Sequence, residues 1–127
     1  MKSKTWWIVG VVIAVIVIGS VWYAVWYQSQ PGKYDSFAEC IAKSGVTFYG
    51  AFWCPHCQAQ KAMFGKSAEK LPYVECSTPD GNSQTQVCID KNIQGYPTWA
   101  DKNGSTTEGV LTFEELGQLS GCAVPQQ

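Results

Sequence analysis

From Trp6 to Tyr27 the chain reads WWIVGVVIAVIVIGSVWYAVWY, without one charged residue. No other feature limits its folding choices so strongly. As a helix these residues would reach about 33 Å, enough for a hydrocarbon core of roughly 30 Å. Trp6 and Trp7 at one end, and Trp22, Tyr23, Trp26 and Tyr27 at the other, place amphipathic rings where a bilayer meets water. In lipid each backbone N–H and C=O must bond within its own segment, so even a stretch rich in Val and Ile is driven to helix. A cleaved signal would carry a shorter apolar core ending in small residues. Residues 6–27 therefore read as an uncleaved transmembrane anchor. Lys2 and Lys4 precede it and Lys33 is the first positive charge after it. That bias predicts a cytoplasmic N-terminus (residues 1–5) and an extracytoplasmic remainder, in the periplasm or at the cell surface. Residues 28–34 form a linker, leaving 35–127 for one domain.

All six cysteines (Cys40, Cys54, Cys57, Cys76, Cys88 and Cys122) lie beyond the anchor. An even number at this density suits disulfide chemistry in an oxidising compartment, although six cysteines allow fifteen pairings. Residues 28–127 hold seven Lys, no Arg and ten acidic residues. A mildly acidic domain without a basic cluster is no nucleic-acid binder.

The order of elements follows from local pattern. SFAECIAKS predicts a helix capped by Asp35 or Ser36, with Phe37, Cys40 and Ile41 on one face and Gly45 as its stop. VTFYGAFW reads as a buried strand, and a helix should open at the next cysteines, where Pro55 suits the first turn. YVEC is a second strand. SQTQVCIDKN is a short helix with Ser83 as cap and Val87 and Cys88 facing inward. TWADKNGSTTEGVL predicts two strands about Asn103-Gly104. Thr112 and Glu115 form a capping box for a last helix. The result is α/β: a central mixed sheet flanked by helices.

Between the first strand and its helix stands FWCPHC. A cysteine at such a junction faces unpaired backbone N–H groups and the positive end of the helix dipole, which favour thiolate over thiol. Cys54 is thus expected to ionise readily and lie open to attack. Cys57, one turn on, is within disulfide reach and less exposed. His56 can add charge or a hydrogen bond near the Cys54 sulfur, and Trp53 can shield one side of the pair. Stabilising the reduced thiolate makes the disulfide a stronger oxidant. A bridge closing so short a loop would brace the fold little. A zinc site needs further ligands that neither a second CxxC nor an HxxxH supplies, so no metal is expected.

FWCPHC after a strand, with GYPTW some forty residues later, resembles the thioredoxin superfamily. That resemblance implies a thioredoxin-like fold in which Pro97, with Tyr96 before it, follows a cis peptide bond and leaves backbone free to dock a substrate strand. FAECIAKSGVTFYGAFWCPHCQAQKAMFG, VECS, IQGYPTW and LSGC look most like the domain fused to bacterial vitamin K epoxide reductase homologues. CPHC is also shared with periplasmic oxidants of the DsbA type. The resemblance further implies structural disulfides Cys76–Cys88 and Cys40–Cys122. Phe48 departs from it, standing where thioredoxin keeps a buried acid. The chain also carries one span and no quinone-reducing domain, so any such reductase must act in trans.

These readings converge on a membrane-anchored thiol–disulfide oxidoreductase with Cys54, Cys57 and His56 as catalytic residues and Tyr96, Pro97 and Trp53 contacting the client. Its expected partners are client proteins with free cysteines and a membrane-embedded, quinone-linked thiol oxidase. No cofactor is implied, because the sulfurs carry the chemistry. A reductase or isomerase, or a tethered binding module without turnover, are the competing readings.

Overall fold

The computed structural model describes residues 2–126, which form two compact units meeting in sequence at Pro31 and Gly32. The first is a single helix, α1 (Lys2–Ser29). Within Ser3–Ser29 the most apolar 18 residues have a mean hydropathy of 2.6, and the helix is long and apolar enough to cross a membrane. Its Trp, Val and Ile side chains stand exposed within their own unit, as lipid-facing side chains would.

The second unit is an α/β domain. Its elements are α2 (Asp35–Lys43), β1 (Thr47–Gly50), α3 (Pro55–Phe64), a 3-10 turn (Gly65–Lys70), β2 (Tyr73–Glu75), α4 (Gln86–Asp90), β3 (Thr98–Ala100), β4 (Thr106–Glu108) and α5 (Phe113–Ser120). The four strands lie in the order β2-β1-β3-β4. β1 runs parallel to β2 and antiparallel to β3, and β3 runs antiparallel to β4. This is the mixed sheet with flanking helices that the sequence predicts.

β1 is buried on both faces, and its alternation separates two cores. Phe48 joins Trp99 and the apolar faces of α2, α3 and α5 in the larger core. Phe48 and Trp99 stack with ring centroids 4.5 Å apart. Tyr49 joins Cys76, Cys88 and Ile93 in the smaller one. Burying each large side chain contributes about 1.5–3 kcal/mol before entropy is charged. Among the described residues Gln60 is the largest buried polar side chain. Fully buried, it accepts from the Leu111 N–H (2.7 Å) and Trp99 Nε1 (3.3 Å) and donates to the Leu111 carbonyl (3.1 Å). One amide thereby satisfies the backbone on the approach to α5, where an unpaired polar group would be costly.

Cys40 is bonded to Cys122 and Cys76 to Cys88. The capping box is complete: Glu115 N–H donates to Thr112 Oγ1 (3.2 Å), and Thr112 N–H donates to the Glu115 carboxylate (2.7 Å).

Several local expectations need correction. α2 is preceded by Tyr34 as N-cap, without a side-chain cap. Asp35 is already helical, and its carboxyl is held below the usual range chiefly by a hydrogen bond from Ser67. Cys40 is exposed, and Ala38 takes its expected place beside Phe37 and Ile41. β1 ends at Gly50, because Phe52 and Trp53 belong to the turn before α3. α4 is shorter than expected, with Thr85 rather than Ser83 at its N-cap. The Ser83 carbonyl and N–H instead bond to Thr78 across a tight loop. Val87 points outward, since the disulfide at Cys88 fixes which face of so short a helix is buried.

Candidate active site

Where β1 gives way to α3, the chain turns through Gly50-Ala51-Phe52-Trp53. The Cys54 N–H donates to the Ala51 carbonyl (3.0 Å), and Cys54 is the N-cap of α3 in extended conformation. Pro55 fills the first helical position, where a missing N–H costs nothing. This places the Cys54 sulfur at the helix N-terminus, beside the segment before β3. It lies 3.5 Å from the Tyr96 carbonyl oxygen. The Tyr96–Pro97 peptide bond is cis. Cys54, Tyr96 and Pro97, separated by some forty residues in sequence, are therefore assembled at one point.

Cys54 is less open than its sequence position suggests. It is 6% exposed, and Cys57 is 1% exposed. Cys54 lies under the Tyr96 carbonyl rather than projecting, although Trp53, Pro55 and His56 around it in sequence are all exposed. Both cysteines are free thiols. The Cys57 thiol is pushed up to about 11, first by burial and also by its hydrogen bond to Cys54; the Ala51 N–H and the charge of Lys61 oppose that rise. The two sulfurs thus differ in place: Cys54 lies at the N-terminus of α3 against the Tyr96 carbonyl, and Cys57 lies one turn deeper in the same core.

The His56 side chain is exposed and makes no hydrogen bond with the described residues. Trp53 is half exposed and donates from Nε1 to Ser77 Oγ (2.8 Å). Its ring meets that of Tyr96 edge-on at 6.0 Å. Gln84 Nε2 in turn donates to the Tyr96 hydroxyl and to the Ile93 carbonyl (2.8 Å each). Ser77 and Gln84 both lie in the loop closed by Cys76–Cys88, and they pair as an isolated bridge. That disulfide therefore anchors the supports of Trp53 and Tyr96. Cys40–Cys122 instead ties α2 to the segment after α5.

Sequence reasoning misses Gly50, Lys61, Tyr73, Glu75, Ser77 and Gln84. A Cβ at Gly50 would lie 2.8 Å from both the Cys57 sulfur and Tyr73 Cε2. A glycine inside a strand run signals such close approach and could have been read so. Tyr73 donates its hydroxyl hydrogen to Glu75 Oε2 (2.8 Å). Glu75 Oε1 accepts from the backbone N–H groups of Phe52 (3.2 Å) and Ser77 (2.9 Å). The turn before Cys54 thereby hangs on a carboxylate from β2. Nothing in the local sequence of Ser77 or Gln84 marks them, because their role depends on the loop's path.

The thioredoxin family model matches residues 29–119. The chain belongs to the thioredoxin family. This thioredoxin domain is 40% identical over 96 residues to thiol-disulfide oxidoreductase LTO1 of Arabidopsis thaliana, covering 72% of this chain and 25% of that protein. It is 38% identical over 97 residues to the thioredoxin domain-containing protein 5 homolog of Drosophila melanogaster, covering 65% and 22%. The chain thus spans about a quarter of the length of these two relatives. Together the family and these relatives support a redox enzyme class for a thioredoxin domain that follows an apolar helix.

Proposed function

We propose that this protein is a membrane-anchored thiol–disulfide oxidoreductase that oxidises client cysteines outside the cytoplasm. One observation carries the reading: the Cys54 sulfur is held at a helix N-terminus, 3.5 Å from the Tyr96 carbonyl, with Cys57 buried behind it. In the oxidised state a client thiolate attacks the Cys54 sulfur, and the electron pair of the broken bond leaves on Cys57. A second client thiolate then attacks the client sulfur, releasing the client's disulfide and the Cys54 thiolate. The client loses two electrons and the pair gains them.

Tyr96 and Pro97 dock the client backbone beside Cys54, Trp53 borders the entry, and His56 tunes Cys54 from the exposed side of the same turn. Reoxidation falls to a quinone-linked thiol oxidase of the vitamin K epoxide reductase type acting in trans. α1 holds the domain near it and so raises the effective concentration of the pair. Lys2 and Lys4, in the first turn of α1 ahead of the uncharged run, favour a cytoplasmic N-terminus and an extracytoplasmic domain.

Acid trapping and alkylation of the protein from cells tests the direction of electron flow. An oxidant is recovered mostly with Cys54–Cys57 closed; recovery mostly as the dithiol favours a reductase or isomerase. Activity surviving loss of both cysteines would favour a tethered binding module. His56→Ala should make the couple more reducing, and an unchanged potential removes the tuning role.

A further inference from the structure

Cys57 must carry negative charge at the moment of exchange, yet it is buried, and the thioredoxin acid position is Phe48, a ring stacked on Trp99. Around Cys57 the structure offers a different arrangement. Gly50 lets the sulfur and the edge of the Tyr73 ring approach the same point from two sides, each 2.8 Å from where a Cβ would stand. They therefore lie within twice that distance of each other. Lys61, one helical turn beyond Cys57, sets its ammonium 3.3 Å from the centroid of that same ring. A cation over an aromatic face is held by the ring quadrupole, and more firmly when partly desolvated. Lys61 is half-buried, and the ring is fixed by the hydrogen bond from Tyr73 to Glu75.

We propose that Lys61, seated on Tyr73, is a positioning residue that supplies the positive charge facing Cys57 whenever its sulfur is a thiolate. The inference rests on the exchange reading above. When a client thiolate attacks Cys54, the Cys54–Cys57 bond breaks and its electron pair goes to Cys57. In the reverse step the Cys57 thiolate attacks the Cys54 sulfur of a mixed disulfide and expels the client thiolate. Both directions pass through charge on Cys57. After oxidation of a client that thiolate takes a proton from water. The direction of the pull agrees with the electrostatics, since Lys61 lowers the Cys57 thiol against the effect of burial.

The test uses the full chain in detergent micelles, with Cys54 loaded as a mixed disulfide with glutathione. Glutathione release at pH 7 reports attack by Cys57. Removing the charge raises the thiol's affinity for its proton. Greater nucleophilicity offsets about half of that change on a logarithmic scale, so a tenfold smaller thiolate fraction would appear as about a threefold slower release. Lys61→Ala should slow release and the opposing exchange alike by about threefold. The reduction potential at pH 7 should not change, because resting Cys57 is a thiol with or without Lys61. Lys61→Arg, which keeps the charge, should recover the parent rate. Equal rates in parent and Lys61→Ala, or an Arg variant as slow as the Ala variant, overturn the proposal. A parent protein that releases no glutathione would instead refute the exchange reading itself.

Discussion

Gly50→Ala is the smallest change that should disable the pair without touching either sulfur. The added methyl would stand 2.8 Å from the Cys57 sulfur, 2.8 Å from Tyr73 Cε2 and 3.4 Å from Phe48 Cε2. Comfortable heavy-atom separations are about 3.5–4.0 Å, so about 0.7 Å or more must be recovered on two sides at once. Phe48 cannot give way easily, being stacked on Trp99 and edge-on to Tyr73. Tyr73 is tied to Glu75, which also holds the Phe52 N–H in the turn before Cys54. The displacement should therefore fall largely on Cys57 and the first turn of α3. Overpacking of this kind costs about 1–3 kcal/mol, or roughly 10 °C in Tm for a domain of this size. A misplacement approaching 1 Å in reacting atoms can cost about a hundredfold in rate. Thermal unfolding gives the first number, and stopped-flow oxidation of a two-cysteine peptide gives the second. Alkylation of Cys54 in the reduced protein should stay within about threefold of the parent, because the clash lies on the Cys57 side. Parental Tm and parental peptide oxidation together would show that Gly50 is not holding space for the sulfur.

The two structural disulfides should separate stability from activity. Their loops of 82 and 12 residues correspond to about 4.5 and about 3 kcal/mol in the chain-entropy model. Cys40→Ala/Cys122→Ala should therefore lose more stability in denaturant unfolding. Cys76→Ala/Cys88→Ala should lose more exchange activity, since its loop carries Ser77 and Gln84. The opposite ordering in both assays would contradict this division. The reduced protein should also show an alkaline instability that the oxidised one lacks. With the Cys57 thiol raised from 9.0 to about 11, its contribution is complete below pH 9 and lost as pH climbs towards the higher value. Melting both redox forms across that window checks it; a constant difference in Tm would argue that Cys57 is not buried as a thiol.

The sequence was most legible where one residue type has one physical use. An uncharged run of this length has few options besides a membrane helix, Thr112 and Glu115 form their box within four residues, and a CxxC after a strand marks a helix start. Short polar segments were less legible. Ser83 is as good a cap as Thr85 by composition, but the Thr78 loop claims its backbone. Val87 looked inward because it is apolar, yet the Cys76–Cys88 bond determines which side of α4 is buried. The site shows the same contrast. Cys54, Cys57, Tyr96 and Pro97 were readable from motifs. Lys61, Tyr73 and Glu75 were not, because their relation to Cys57 passes through a gap left by Gly50 and requires β1 and β2 to be paired first. The limited exposure of Cys54 was hidden for a related reason: the Tyr96 carbonyl above it arrives from β3's side of the sheet.

The central claim is that Cys54, though only 6% exposed, is the sulfur that bonds to clients, and that Cys57 is its buried partner. Mixing Cys57→Ala protein with a cysteine peptide activated as a mixed disulfide, then mapping the adduct by mass spectrometry, measures this directly. The peptide should be found on Cys54 alone and should persist. No adduct at Cys54, or equal labelling of Cys57 in a matching Cys54→Ala protein, would contradict the account.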